Sequence, residues 1–507
     1  MEKNNNELIV SLDFGTSNLK GAVYDINGAE IAYESIEYSL YTPSNSIVEN
    51  NLNLYWDNII IILKNLSKKL GGKVKNVVAI GTSSQGETIV PIDKNGNPLR
   101  NAIVWIDTRT TAEALEIKRN FSTEEMYKKS GCPDVDTSWP ATRILWIKKN
   151  EPDIFKKTYK FLLLEDYIVF KLTNKFAGEA SVYGSSYYYD IVKFEYITPV
   201  LDFLGIGKDK LPEVLMPGTI VGKITKEITE ITGFSKDTEV VIGALDQICG
   251  AVGAGNISKG LVTETTGSCF AMVVTTGEPV FNYEQKIPCI PHAVPGLYAL
   301  IPYSPTGGIV IKWFRDRFCN EEQILARKEN KDIFKIMDEE AAKIPAGSEG
   351  LIMLPFLTGA LFPEYNPGAR GVYFNFSINH TKAHFIRAGL ESIGFMMKNY
   401  LESLNKLGIN IEKIISIGGG ASSKLWSQIK ADMSEKVIEI PSYTEMALLG
   451  STILTASALG FFKNISDASN NIVKMKYRFL PNKDNSKIYK DSFEKYKELY
   501  ISLKKLF

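Results

Sequence analysis

Two short segments combine the residue types that grip a phosphate chain. Asp13-Phe14-Gly15-Thr16-Ser17 and Thr265-Thr266-Gly267-Ser268 each join a glycine to hydroxyl side chains. Glycine lets backbone N–H groups approach an anion, hydroxyls donate to phosphate oxygens, and the acid of the first segment can hold Mg²⁺ through water. Either segment alone reads equally as a polar hairpin turn; together, in two corresponding places, they would hold a phosphate chain from both sides. Ile417-Gly418-Gly419-Gly420-Ala421-Ser422-Ser423 follows an apolar run and precedes a helical one, as a nucleotide-contacting turn does. It is neither a Walker loop nor GxGxxG, and a tight strand-to-helix connection has the same composition. Asp246-Gln247 stands where an apolar strand gives way to a helix, so the helix dipole is expected to keep the carboxylate ionised at pH 7. A plain N-cap is the alternative. Ser83-Ser84-Gln85-Gly86-Glu87, with Trp105-Ile106-Asp107-Thr108-Arg109 downstream, offers what a sugar or polyol needs. Amides and carboxylates read hydroxyls, and an indole packs on C–H surface. Trp105 equally suits a core and Asp107 a turn.

The elements that must position these groups alternate between strand and helix. Residues 8–12 are a β-rich apolar run, Leu19–Asp25 returns, and a turn at Asn27-Gly28 leads into Glu30–Tyr38. Helical periodicity over 54–70 precedes a strand at Val77–Gly81, and further helical segments fall near 110–120, 141–150 and 165–171. The pattern then returns: a strand over Val240–Ala244, a small-residue helix over Asp246–Gly255, a strand at Gly260–Thr263, a turn, and Phe270–Val274. A strand, a Gly/Thr/Ser hairpin and a second strand thus occur once in each half. This predicts an α/β protein of two related halves joined near residues 250–260, with a ligand cleft between them.

Composition narrows the partners. The 507 residues carry 58 Lys+Arg against 58 Asp+Glu, so nothing pulls the protein as a whole toward nucleic acid or an anionic membrane. No apolar run approaches the ~18–20 residues that span a bilayer. The densest, Ile59–Leu63, suits a buried helix. Met1–Asn6 is too polar for a secretory leader, so a cytoplasmic location is expected. Five cysteines without a CxxC read as reduced, buried thiols. His380 and His384 share a helical spacing but lack a third zinc ligand, and a structural role at a helix start is the better reading.

Eight blocks in order resemble the FGGY family of carbohydrate kinases over essentially the whole chain. They are Asp13–Ser17, Ala102–Thr110, Arg143–Pro152, Gly243–Gln247, Pro355–Gly359, Ala369–Gly371, Arg387–Glu391 and Gly418–Ser422. The resemblance implies two actin-like (ribonuclease H-like) domains, over residues 1–250 and 251–507, with ATP in the interdomain cleft. It implies transfer of the γ-phosphoryl group of ATP to a sugar or polyol hydroxyl, and a homodimer is compatible with it. On the matching positions, Asp246 is the catalytic base and Asp13 helps hold Mg²⁺. Thr16, Ser17, Lys20, Thr266, Gly267, Ser268, Gly308, Lys312, Gly419, Gly420 and Ser423 are the ATP-binding residues. Gln85, Gly86, Glu87, Trp105 and Gln247 line the acceptor pocket. That chemistry suits an aspartate, because phosphoryl transfer has a loose transition state and the hydroxyl loses its proton late.

Three departures bear on the substrate. Arg143 stands where the family usually has Lys, which keeps the charge. Gly86-Glu87 replaces the Arg-Glu of many glycerol kinases and the Met-His of many xylulokinases. Gly86 removes a polar contact and opens space, which argues against glycerol, while Glu87 would repel an anionic acid. A neutral ketopentose such as xylulose is the expected acceptor. Other ketoses, short polyols, gluconate and signalling-molecule substrates are alternatives within the family, and an actin-like ATPase without an acceptor is one outside it.

Overall fold

The computed structural model describes residues 6–507; most of the polar start, residues 1–5, lies outside the described residues. Strand β1 (Leu8–Phe14) is buried along its whole length, including Ser11 and Asp13 within its mostly apolar run. β2 (Asn18–Asp25) returns antiparallel and puts Lys20 opposite Asp13, and β3 (Glu30–Glu37) continues the meander. Helix α1 (Leu52–Leu70) starts at Asn51, whose side chain accepts from the N–H groups of Asn53 and Leu54. It buries Ile59, Ile62, Leu63 and Leu66 on one face and exposes Ile61. β4 (Val77–Ser84) lies parallel to β1 with Ser83 opposite Asp13. Helices α2 (Pro140–Asn150) and α3 (Leu164–Thr173) precede β5 (Thr219–Lys223) and β6 (Glu239–Ile242), and the sheet runs β5-β6-β4-β1-β2-β3. The backbone leaves it through α4 (Asp246–Gly253).

The second sheet repeats the first. It comprises β7 (Leu261–Thr266), β8 (Phe270–Thr276), β9 (Cys289–Pro291), β10 (Tyr298–Leu300) and β11 (Tyr303–Ser304), followed by β12 (Lys413–Ile417), β13 (Val437–Pro441) and β14 (Met475–Phe479). Its order is β9-β10-β8-β7-β12-β13-β14, with β11 beside β8. β13-β12-β7-β8-β10 matches β6-β4-β1-β2-β3 in chain order and in which neighbours are parallel, while the outermost antiparallel strands differ, since β5 precedes β6 in the chain and β14 follows β13. Helices α5 (Ile309–Phe318), α6 (Lys382–Lys406) and α7 (Lys424–Ser434) flank this sheet, and α8 (Met446–Ala458) follows β13 as α4 follows β6. The internal symmetry expected from the hairpins therefore extends over five strands.

The two symmetry-related helices meet at the seam. A Cβ on Gly253 of α4 would fall 2.0 Å from the Met446 carbonyl oxygen, and one on Gly450 of α8 would fall 1.9 Å from that of Cys249. Only glycine permits this approach. α8 also lies on the first sheet, where Ser11 Oγ and Thr452 Oγ1 are 2.8 Å apart. Its apolar sequence, with Leu448, Leu449, Ile453 and Leu454 all buried, is what a helix covered on both sides needs. Elsewhere, the Thr381 N–H donates to His384 Nδ1 at 3.1 Å, so His384 serves the start of α6. Among the described residues no helix is long and apolar enough to cross a membrane, and no three His, Cys, Asp or Glu side chains are grouped to hold a metal by themselves. All five cysteines are free; four are buried and Cys269 is half-buried.

Candidate active site

The first sheet delivers two acids to the seam. Asp13, at the end of β1, accepts a hydrogen bond from Ser83 Oγ at 2.9 Å. Burial pushes its pKa up to about 6, against the opposing pull of Ser83 and Lys20. Lys20 is not free to neutralise it, because its ammonium lies 2.7 Å from Glu445 Oε2 at the start of α8. Asp246 is the first residue of α4, with Leu245 rather than Asp246 in the N-cap position. Its Oδ1 accepts from the Gln247 N–H at 2.7 Å. The expectation that the helix dipole keeps this carboxylate firmly ionised does not hold. Burial, helped by the charges of Asp13 and Glu87, outweighs the Gln247 N–H and pushes its pKa up to about 7.

The loop carrying Asp246 is pinned from behind. The Gly243 N–H donates to Thr82 Oγ1 at 2.9 Å and the Leu245 N–H to Ser181 Oγ at 3.0 Å. Ser181 donates in turn to the buried Glu179 at 2.8 Å. These bonds fix the backbone that leads into the acid, so its side chain is aimed by the fold.

Asp246 and Gln247 lie where two cavities meet. One, of about 260 Å³, has a polar wall of Thr16, Gln85, Glu87, Ser138, Ser185 and Gln247. Its apolar wall is Trp105, Trp139 and Leu245 from the first half, with Ala271, Pro288, Ile290, Ile301 and Tyr303 from the second. The other, of about 190 Å³, lies along the seam between Asp13, Gly250, Thr265, Ile417, Gly418 and Thr444. The first cavity thus collects every residue expected around the acceptor: Gln85, Gly86, Glu87, Trp105 and Gln247. Among the described residues lining it there is no Lys, Arg or His. Burial pushes the Glu87 carboxyl up to about 7, opposed by Ser185 and the charge of Arg143.

Several expectations change on contact with the geometry. Thr16, expected at a phosphate, belongs to the first cavity: Trp105 Nε1 donates to its hydroxyl at 2.8 Å, and that hydroxyl donates to Gln85 Oε1 at 2.9 Å. Gly86 does not open free space, since a Cβ there would lie 2.9 Å from Leu245 Cδ1. Thr266 is the last residue of β7 rather than part of the turn, and its buried hydroxyl bonds Glu264 and Lys430. Successive strand residues face opposite ways, so Thr265 is the one that looks into the seam cavity. Lys20 is committed to Glu445, and Ser423 Oγ caps α7 by accepting from the Trp426 N–H at 3.0 Å.

Of the remaining expected nucleotide residues, Gly308 and Lys312 stand against the β7–β8 turn. The Gly308 N–H donates to the Gly267 carbonyl at 2.8 Å, and Lys312 Nζ reaches Ser268 Oγ at 3.2 Å. Gly420 is buried against Thr266 and Gly419 is open on the surface. Ser17 is exposed at the β1–β2 turn. Residues not foreseen include Ser138, Trp139, Ser185 and Tyr303 in the first cavity and Thr444 in the second, where Thr265 of the expected phosphate segment also lies. Ser138-Trp139 directly precedes Pro140 at the start of α2, a turn signal next to a recognised block. Tyr303 comes from the other half, and no local pattern marks it. The seam cavity presents carboxylate and hydroxyl oxygens from Asp13, Asp246, Thr265 and Thr444, a donor set that suits Mg²⁺.

Known proteins resemble this one over nearly its whole length. The model of the N-terminal domain of the FGGY family of carbohydrate kinases matches residues 8–253, and that of the C-terminal domain matches 265–459. A gluconokinase of Bacillus subtilis is 29% identical over 95% of this chain and 93% of its own. A xylulose kinase of the same organism is 27% identical over 98% and 97%. Among solved structures, a gluconate kinase and a ligand-bound xylulose kinase, both from Lactobacillus acidophilus, each superpose with a TM-score of 0.88 at 25% identity, covering 98% of both proteins.

Proposed function

Because the chain belongs to the FGGY family of carbohydrate kinases, and is thus a two-domain actin-like sugar kinase that uses ATP, we propose that its acceptor is a neutral ketopentose such as xylulose. The observation that supports this is the first cavity's electrostatics. Its walls hold Glu87 and Asp246 and no cation, so an aldonate carboxylate would be buried beside two acids without a partner. Hydroxyls, by contrast, meet Gln85, Glu87, Ser138 and Gln247 on one wall, while the C–H surface of the sugar meets the two indoles on the other.

In this reading the two halves, residues 1–250 and 251–507, divide the work. The acceptor hydroxyl sits in the first cavity with Asp246 as its base, and the triphosphate enters along the seam. Gly267, Ser268, Gly308 and Lys312 steady the phosphates, and Gly419 and Gly420 flank the nucleotide. Asp13 would hold Mg²⁺ through water, and the ion would neutralise charge on the transferring group. Asp246 takes the hydroxyl proton late in the transfer, for which a carboxylate with a pKa near 7 is well matched. A cytoplasmic location and a homodimer are compatible with the same proposal. The test is ADP release across ketoses, polyols and aldonates. Xylulose or a related ketopentose is expected to give the highest kcat/KM, and gluconate as the best substrate would overturn the electrostatic argument.

A further inference from the structure

Arg143, in the first turn of α2, is fully buried, yet its guanidinium forms no ion pair among the described residues. The other cations buried as deeply do: Lys430 pairs with Glu264, and Arg387 with Glu391. Arg143 instead bonds backbone carbonyls from three separate segments. Nη1 donates to Glu87 O at 2.6 Å and to Ser138 O, and Nη2 donates to Trp105 O at 2.7 Å and more weakly to Asp107 O at 3.4 Å. Glu87, Trp105 and Ser138 all line the acceptor cavity.

One of these segments is held in a conformation that it would not adopt unaided. Glu87 has φ +56°, in the left-handed region that favours glycine, and the Thr88 N–H closes a tight turn onto Gly86 O at 2.7 Å. Glu87 O is the carbonyl that Arg143 grips. The next residue ties in as well, because the Trp105 N–H donates to Thr88 Oγ1 at 3.3 Å. A buried charge held only by carbonyls at Nη1 and Nη2, with its Nε left without a hydrogen-bond partner, is costly unless the geometry it enforces is needed. A planar fork of donors can span three carbonyls at once, which a compact ammonium cannot do equally well.

We propose that Arg143 is the positioning residue of the acceptor site, a single guanidinium that sets Glu87, Trp105 and Ser138 in the register by which sugar hydroxyls are told apart. The inference rests on reading the first cavity as the acceptor site. Arg143 itself touches no substrate; it acts through the carbonyls of the wall. Its loss therefore weakens acceptor binding and stereochemical choice while leaving the nucleotide side alone.

The experiment compares Arg143→Lys, Arg143→Gln and Arg143→Met with Gln247→Ala as a control in the full-length enzyme. KM and kcat are measured for the best ketopentose and one epimer of it, and ADP affinity is measured by calorimetry. Arg143→Met is expected to raise sugar KM at least ~30-fold, and Lys to restore most of that loss, since single hydrogen bonds to a charged group are worth about tenfold or more. Preference between the epimers should fall at least ~5-fold in the Gln and Met variants, with ADP affinity within about twofold of the parent. If Arg143→Met does not fold, the Lys and Gln variants carry the same readouts. Sugar KM and epimer preference that stay unchanged in the Arg143 variants while Gln247→Ala raises KM would overturn the positioning role. Parallel loss of ADP affinity would overturn it too, by showing a general structural effect. If Gln247→Ala also leaves sugar KM unchanged, the location of the acceptor site is what has failed.

Discussion

The two halves share a five-strand sheet core but answer the charge of one buried acid apiece in opposite ways. In the first half, Asp13 on β1 faces Ser83 on the neighbouring parallel strand and accepts its hydrogen bond, with no cation bound to it. In the second half, Glu264 on β7 faces Ser416 on β12 and accepts a bond from it in the same way. Glu264, however, is paired at 2.9 Å with Lys430 of α7, and Lys430 also bonds Thr266 Oγ1 at 2.8 Å. One acid is left with charge to offer a ligand, and the other is compensated and ties β7, β12 and α7 together. The helices after the last parallel strand differ likewise. α4 begins with Asp246 at the cavity junction, whereas the corresponding Glu445 before α8 is bound to Lys20. A duplicated scaffold can thus carry chemistry in one copy and grip in the other, according to which acids have their charge answered within the fold.

The largest effect expected from this contrast is on stability. Lys430→Met leaves Glu264 buried without its partner and should cost ~3–5 kcal/mol in urea unfolding. Asp13→Asn removes an uncompensated charge and should cost nothing or stabilise the protein, while lowering activity. Equal destabilisation by the two variants would erase the distinction between the halves.

A smaller effect sharpens the same point through pH. Asp246 has its folded pKa raised from the aspartate value of 3.8 to about 7, so the native state binds the proton more tightly than the unfolded polypeptide does. Its contribution is therefore complete below pH ~4 and lost as pH rises through about 7. Asp246→Asn should be more stable than the parent at pH 8 by at least ~1 kcal/mol, with the gap closing toward pH 4 in the ligand-free protein. A gap that instead widens toward low pH would mean that the carboxylate is stabilised in its charged form, as the helix dipole alone would have it.

The smallest effect concerns the bond across the seam. Lys20 and Glu445 are each 27% exposed, and solvent screens such a pair, so Lys20→Met should change stability by less than ~1 kcal/mol. If Lys20 instead serves the nucleotide, the same variant will raise KM for ATP several-fold, and that measurement decides between the two roles.

Much of this is legible in the sequence because it is local. Apolar strands broken by Gly/Thr/Ser turns mark both hairpins, and the strand-to-helix step before Asp246 is visible from hydrophobic pattern alone. The proposed acceptor residues Gln85, Glu87 and Trp105 stand out because two short segments hold them. What is not legible depends on register and on the other half. Thr265 and Thr266 are chemically the same, and only the phase of β7 decides which faces the cavity. The apolar wall of Ala271, Ile301 and Tyr303 reaches the acceptor cavity from the second half, so nothing near Gln85 in sequence announces it. The raised pKa of Asp246 is a property of burial beside Asp13, 233 positions away in the sequence, and a helix-start rule applied locally gives the wrong sign.

The division of labour itself is tested most directly by steady-state kinetics on Asp246→Asn and Ser268→Ala side by side, with sugar-dependent ADP release as the readout. Asp246→Asn should lower kcat at least ~10²-fold while KM for sugar stays within about threefold. Ser268→Ala should raise KM for ATP several-fold with kcat within about threefold, as expected for loss of one hydrogen bond to a charged phosphate. Near-normal kcat in Asp246→Asn, or a collapse of kcat in Ser268→Ala that matches it, would contradict the assignment of chemistry to the first half and grip to the second.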